Sequence, residues 1–220
     1  MAVPGEHHPA FEEYCETIFE LREDDLDVIQ ARIADRLRVS RPSVSEMIKR
    51  MSDESLIEVA GGKITLTVTG EELAVRVVRR HRIAERFITD ILGLSWSLAH
   101  REAGRWEHVM SHEVEVAMSS LLGEPTTCPH GNPIPGSGYT PPLAKKLSEL
   151  SSGQEFTVSR IPEELEFTPG MLEFLENSHL VPGSHGTVQI GAEAGDMTVL
   201  IDGTSVTVDS YATARILVTV

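Results

Sequence analysis

Residues 27–51 read DVIQARIADRLRVSRPSVSEMIKRM. Apolar residues recur there at helical spacing in two blocks: Val28, Ile29, Ile33, Ala34 and Leu37, then Val44, Ile48 and Met51. Between the blocks, Arg38-Val39-Ser40 is a short turn. Asp27 can cap the first helix and Ser40 the second, whose first turn tolerates Pro42. The second helix leaves Ser43, Glu46, Lys49 and Arg50 on its outer face. Two short helices joined in this way, the second carrying polar and basic residues outward, form a helix-turn-helix that offers its second helix to a DNA major groove.

The flanking sequence makes the motif winged. Leu56–Ala60 and Lys63–Val68 enclose Gly61-Gly62, a two-residue hairpin signal. Upstream, residues 9–22 place Phe11, Tyr14, Ile18 and Leu21 on one face of a helix. Downstream, Thr69-Gly70-Glu71-Glu72 fits a capping box and opens a long helix to Leu92. A further long helix is expected from Ser97 to Leu122, ended by Gly123. Residues 123–139 are rich in Pro and Gly and read as loop, and Thr140-Pro141-Pro142 reads as the start of a short helix to Leu150. Ser151-Ser152-Gly153 marks a boundary. Beyond it, Glu155–Arg160, Thr187–Ile190, Met197–Ile201, Ser205–Val208 and Arg215–Val218 read as short strands, with one short helix after Thr168-Pro169. Strands at that density suggest a small barrel. The expected organisation is a winged helix-turn-helix over 1–72, a helical domain over 73–150 and a barrel over 151–220, a mainly α chain with a small β domain.

No apolar run approaches the ~18 residues that a membrane span needs, so no membrane association is expected. Met1 to His8 lack the charged and apolar regions of a secretory leader. Two cysteines, Cys15 and Cys128, make a disulfide framework an unsuitable reading, and a cytoplasmic protein is expected. The net charge of −15 argues against nucleic acid only until its distribution is read. Residues 28–63 carry seven basic against five acidic residues, whereas residues 151–220 carry two against ten. The acidic surplus sits away from the helix-turn-helix.

A second chemistry is written in His100-Arg101-Glu102-Ala103-Gly104-Arg105-Trp106-Glu107-His108. His100, Gly104, Glu107 and His108 stand at i, i+4, i+7 and i+8, on one helix face. His81 and Glu85 form another i, i+4 pair upstream. Imidazole beside carboxylate is a donor set for a divalent metal. A metalloenzyme could use such a cluster to activate water. Against that, no nucleophile, base and orienting group converge in these motifs, and the helix-turn-helix would be unexplained. His112 and Glu113 read as exposed helix, and Cys15, beside the apolar stripe, as a small core residue.

With these residues in hand, the chain resembles the diphtheria-toxin-repressor family of metal-dependent regulators. The resemblance runs through Ala31–Leu37, Arg80–Arg86, Arg105–Ser111 and Gly131–Gly136, in order and over most of the chain. It implies a winged helix-turn-helix, a helical dimerisation domain with two metal sites per subunit, and a C-terminal SH3-like barrel. It also implies a homodimer that binds double-stranded operator DNA and represses metal-uptake genes when loaded, with no small-molecule substrate. Matched residue by residue, the primary site would use Glu13, His81, Glu107 and His108, and Glu16 matches the extra carboxylate of the manganese-responsive branch. An acidic residue at position 13 also looks like that branch, since the iron branch places a thioether there. At Gly104 the family usually supplies a thiolate or carboxylate, so this site loses one anionic ligand and weaker primary affinity is expected. The second site has two family versions. One uses His81, Glu85 and His100 with acceptors from the barrel. The other uses Glu85 with a Cys-Pro-His element, present here as Cys128-Pro129-His130. The favoured set is Glu85, Cys128 and His130 with Glu166 from the barrel.

A primary site of carboxylate and imidazole without sulfur suits Mn(II), with Fe(II) as the alternative effector. The remaining alternative is a metal-independent DNA-binding protein whose sensor was lost at Gly104. On the DNA side, Arg41, Lys49, Arg50 and the wing residue Lys63 are expected at phosphates. Ser40, Ser43 and Glu46 are expected at bases or sugars, where Glu46 could accept from a cytosine amino group.

Overall fold

The computed structural model describes residues 9–190 and 195–220. Met1 to His8, read above as no secretory leader, lie outside the described residues. Helix α1 (Pro9–Glu23) buries Phe11, Tyr14, Cys15, Ile18 and Leu21. They join one core with Ile33 and Ala34 of α2 (Gln30–Leu37) and Val44, Ile48 and Met51 of α3 (Arg41–Asp53). Arg38, left-handed at φ 53°, ends α2 and turns the chain. Ser40 caps α3, its side chain accepting from the Ser43 amide at 3.2 Å. Asp27 does not cap α2. The helix starts at Gln30 with Ile29 at the cap, out of its reach, and Asp27 instead pairs with Lys63 at 3.3 Å. The wing is an antiparallel hairpin, β1 (Ile57–Ala60) and β2 (Lys63–Leu66). Its turn is Gly61-Gly62, with φ of 59° and 82°, the positive values that a two-residue hairpin needs.

Helix α4 (Val68–Asp90) begins earlier than the capping box suggests. Its cap is Thr67, whose hydroxyl accepts from the Gly70 amide at 3.2 Å and donates to the Ser55 carbonyl at 2.6 Å. Strand β2 ends at Leu66, so Thr67 is the extended residue at the junction. The single long helix expected from Ser97 to Leu122 is two, α5 (Trp96–Trp106) and α6 (His112–Leu121). Ser111 caps α6, accepting from Val114 at 3.4 Å. The break falls at 107–110, and it lets Glu107 and His108 turn inward.

No helix follows Thr140-Pro141-Pro142. Strand β3 (Lys145–Lys146) and a 3-10 turn (Leu147–Glu149) take its place. Lys145 pairs with Val218, and Leu147 and Leu150 are buried in the core of the following sheet. That antiparallel sheet is completed by β4 (Glu155–Arg160), β5 (His185–Ile190), β6 (Met197–Ile201), β7 (Thr204–Val208) and β8 (Leu217–Thr219), in the order β3-β8-β4-β5-β6-β7. It therefore starts ahead of the boundary expected at 151. Helices α7 (Glu163–Glu166) and α8 (Met171–Asn177) interrupt it after β4, and α9 (Ser210–Thr213) precedes β8. The short helix expected at Thr168-Pro169 starts at Met171, and α7 adds a turn before it. This is the SH3-like domain of a mainly α protein.

The domains are locked together. Trp96 of α5 sits in the barrel core. The Arg82 side chain of α4 is fully buried and pairs with Glu23 of α1 at 2.6 Å and Glu163 of α7 at 2.9 Å. Arg160 at the end of β4 reaches Asp24 at 2.5 Å and Glu23 at 3.2 Å. Among the described residues, no helix is long and apolar enough to cross a membrane.

Candidate metal centre

Helix α1 carries Glu12, Glu16 and Glu20 at i, i+4 and i+8, all buried, on a helix that packs against α4. Helix α4 brings His81 and Glu85 to the same interior. The end of α5 and the turn after it deliver Glu107 and His108. Glu107 Oε2 lies 2.5 Å from His81 Nδ1, and Glu16 Oε1 lies 3.9 Å from the same nitrogen. Glu16, His81 and Glu107 thus form one cluster of donors within 4.8 Å of one another. His108 Nε2 is 3.2 Å from Glu107 Oε1, and its Nδ1 is 2.8 Å from Glu12 Oε2. Glu13 is exposed and stands on the rim of a cavity of about 670 Å³ that Glu16, His81, His100, Gly104 and His108 also line. Apart from its chain neighbours and the backbone of its own helix, nothing lies within 4 Å of where a Gly104 Cβ would project.

His81 also faces the second cluster. Its Nε2 is 3.2 Å from Glu85 Oε1 and 3.3 Å from His100 Nδ1. Glu85 Oε2 points away from them, 3.5 Å from His130 Nδ1, and Cys128 Sγ is 3.8 Å from that nitrogen. Glu166 arrives from α7 with Oε2 2.8 Å from His130 and 3.2 Å from His100. Its Oε1 accepts from Asn132 Nδ2 at 2.6 Å. The Cys128–Asn132 turn is held against the barrel by Gly131. Its φ is +86°, and a Cβ there would fall 2.4 Å from the Ser159 carbonyl.

Charge is balanced internally. Burial opposes the charge on His81, yet Glu85 and Glu107 hold its imidazolium well above the ordinary range. Burial likewise opposes His130, which Glu166 and Glu85 hold well above that range. His100 rises to about 9: burial resists, and hydrogen bonds to Glu166 and Glu85 prevail. Glu166 drops to about 2 because His130 and His100 outweigh its burial. Burial and then the neighbouring Glu107 and Glu20 push Glu16 well above the carboxylate range. Burial and Glu85 raise the Cys128 thiol, against His130.

These residues fit a metal. Glu16 Oε1 is buried without a hydrogen-bond partner, and Glu85 Oε2 and Glu166 Oε2 are buried with no donor but the His130 and His100 imidazoles. Buried polar atoms are rarely left so, because each unmade bond is costly. A cation among these carboxylate, imidazole and thiol donors would supply the missing interaction.

The residues expected at DNA lie on the surface. Ser40, Arg41, Pro42, Ser43, Glu46, Lys49 and Arg50 are exposed along α3, and Lys63 is exposed on the wing. Arg50 also lies over the Phe11 ring at 5.3 Å.

Residues 8–63 match the iron dependent repressor N-terminal DNA binding domain, and 67–136 match the metal binding and dimerisation domain of the same repressors. Residues 145–220 match the FeoA domain. The iron-dependent repressor IdeR of Mycobacterium leprae is 38% identical over 204 residues, 87% of this chain and 88% of that protein. The chain belongs to the iron-dependent repressor family. The diphtheria toxin repressor of Corynebacterium diphtheriae is 48% identical over 126 residues, 57% of this chain and 56% of that one. Among solved structures, a manganese-dependent transcriptional repressor in complex with manganese superposes with a TM-score of 0.85 at 32% identity, covering 95% of this chain and 99% of that one. The family member described here is accordingly a metal-dependent transcriptional repressor, and the metalloenzyme alternative gives way, since its relatives are repressors.

Several residues of this repressor's interior escaped the sequence reading. Glu12 was hidden by its neighbour Glu13, although Glu12 and not Glu13 continues the i, i+4 register of Glu16 and Glu20. Glu163, Asn132 and Arg82 carry no local signal, because their partners are far away in the chain.

Proposed function

We propose that this repressor is activated by Mn(II) and, when loaded, binds double-stranded operator DNA of metal-uptake genes as a cytoplasmic homodimer. The observation that carries the reading is convergence. Donors from α1 (Glu16), α4 (His81 and Glu85), the α5 end (Glu107 and His108) and the barrel (Glu166) meet in one interior. A divalent cation bound there supplies coordination and positive charge that offsets these buried carboxylates. Glu16, His81, Glu107 and His108 would hold it at the first centre, with Glu13 reaching in from the rim. Glu85, Cys128, His130, His100 and Glu166 would serve the second. Because Glu16 lies on α1, whose core contacts extend to α2 and α3, sharing a ligand set with α4 fixes the recognition helices relative to the dimerisation helices. Symmetric half-sites need that fixed spacing. A loaded state that binds DNA better than the metal-free one is all that an effector requires.

The homodimer reading is supported by apolar side chains left exposed on the helical domain, among them Ile91, Leu92, Val109, Val114 and Leu121. Mn(II) is supported by hard oxygen and imidazole donors at the first centre, without sulfur. Fe(II) is the second reading. It is favoured by the likeness to a protein named as an iron-dependent repressor, and by Cys128 as a softer donor.

The test is capture of genomic fragments by the purified chain, anaerobically, in Mn(II), in Fe(II) and in chelator. Discrete promoters captured only with metal support the reading, and the more effective ion names the effector. Equal capture in chelator, or DNA affinity unchanged by the Glu107→Ala, His108→Ala double variant, overturns it.

A further inference from the structure

The two sets of donors that could build the second centre coexist in this chain, and they are not alternatives. His81, Glu85 and His100 close to within 4.8 Å of one another, and so do Glu85, Cys128 and His130. Among the described residues, no such group takes in both His100 and Cys128. One ion therefore cannot use both sets without a rearrangement of the side chains.

Glu85 is laid out to serve both. Its Oε1 is 3.0 Å from His100 and its Oε2 is 3.5 Å from His130, so its two oxygens face opposite imidazoles. Glu166 spans the same gap, with one oxygen 3.2 Å from His100 and 2.8 Å from His130. Asn132 holds its other oxygen and fixes the carboxylate plane. Glu85 Oε2 and Glu166 Oε2 are buried with no donor but these imidazoles. Both belong to residues at most 5% exposed. Carboxylates placed between two nitrogen donor groups are what a pair of cations about 3.5–4 Å apart uses as bridges.

We propose that the second centre is binuclear: one divalent cation on His100, one on Cys128 and His130, with Glu85 and Glu166 shared between them. Against Glu85, Glu166 and a Cys128 thiolate, two dications leave a net +1 and a single one leaves −1, so the donor charge admits two ions as readily as one. Coordination would release to solvent the proton of the buried Cys128 thiol and those on the ligating nitrogens of His100 and His130. The proposal rests on the metal-dependent reading only for the nature of its ligand.

The test uses the full chain, stripped with chelator and loaded with Co(II), which reports thiolate ligation by a near-ultraviolet charge-transfer band. Bound ions are counted by equilibrium dialysis and elemental analysis. The expected result is three ions per chain, two of them at this centre. His100→Ala then loses one ion and keeps the thiolate band, whereas Cys128→Ser loses the band and keeps the His100-dependent ion. Glu85→Gln weakens both. His100→Gln serves if the alanine variant fails to fold, with far-ultraviolet circular dichroism as the control. Two ions per parent chain, or a thiolate band that disappears with His100→Ala, would overturn the proposal. Failure here with metal-dependent DNA capture intact leaves the repressor reading standing. A count of three with metal-independent capture does the reverse.

Discussion

Glu12 Oε2 lies 2.8 Å from His108 Nδ1, while Glu13, one residue on, is exposed. The carboxylate fixes which ring nitrogen of His108 carries the proton and leaves Nε2 beside Glu107 for a ligand. The hydrogen bond to Glu12, ahead of burial, raises the His108 pKa above its ordinary value. Partners that orient a ligating histidine in this way typically contribute about 10–100-fold to metal affinity. Glu12→Gln should therefore weaken Mn(II) binding at the first centre by roughly 10-fold or more. Competition against a fluorescent chelator measures this, and an affinity within about twofold of the parent would show that Glu12 only fills space.

Gly104 stands in helix α5 on the wall of the same cavity, and a Cβ added there meets nothing within 4 Å. Gly104→Ala should raise stability by about 0.5–1 kcal/mol, the usual cost of glycine inside a helix, and leave metal affinity unchanged. Gly104→Glu should tighten Mn(II) binding by adding the anionic donor that the first centre lacks. Thermal unfolding in chelator and isothermal titration with Mn(II) separate the two effects. A glutamate variant that binds no tighter than the alanine variant would mean that position 104 faces cavity rather than metal.

Arg82 is the largest fully buried side chain of the molecule's described residues, held by Glu23, Glu163 and the Pro133 carbonyl. It therefore joins α1, the 128–135 loop and the barrel at one point. Removing one partner of a buried ion pair strands the others, at about 3–5 kcal/mol. Arg82→Met should cost about that much in urea unfolding, with the midpoint moving and little change in slope. The double variant Arg82→Met, Glu163→Gln should recover part of the loss, because one stranded charge is gone. A double variant no better than the single one would place the coupling at Glu23 instead.

How much of this was legible in the sequence depended on how far each residue's partner lies. The helix-turn-helix and its cap at Ser40 follow from spacings within a few residues, and the structure places them there. The break between α5 and α6 was invisible because Trp96–Trp106 and His112–Leu121 keep a compatible apolar phase, and Ser111 competes as a cap only once the chain can bend. Pro141 and Pro142 suggested a helix start, but burial of Leu147 and Leu150 in a barrel closed by Val218 decided the segment. In the site, His81 with Glu85 and Glu107 with His108 stand out at i, i+4 and i, i+1. Glu163 and Asn132 do not, since each acts across a separation that no local pattern encodes.

Asp24, at the end of α1, accepts from Arg160 at 2.5 Å and from the Glu164 amide at 3.1 Å. Burial pushes its pKa up to about 7, with Arg160 opposing and Glu163 adding to the rise. The folded chain therefore keeps a proton on Asp24 at a pH where the unfolded chain, near the ordinary 3.8, has lost it. Where the folded state binds more protons, stability falls as pH rises. Asp24 should thus cost the metal-free protein stability between about pH 4 and pH 7, with no further change above that. Glu20 acts in the same sense: burial and Glu163 raise it, against Arg36. Urea midpoints in chelator at pH 5 and pH 7.5 should show the parent less stable at the higher pH. Asp24→Asn should show a smaller difference between the two. An asparagine variant with the parent's full pH dependence would assign the effect to Glu20 and to the raised imidazoles of His81, His100 and His130, and a parent more stable at pH 7.5 would mean that Arg160 outweighs the burial of Asp24.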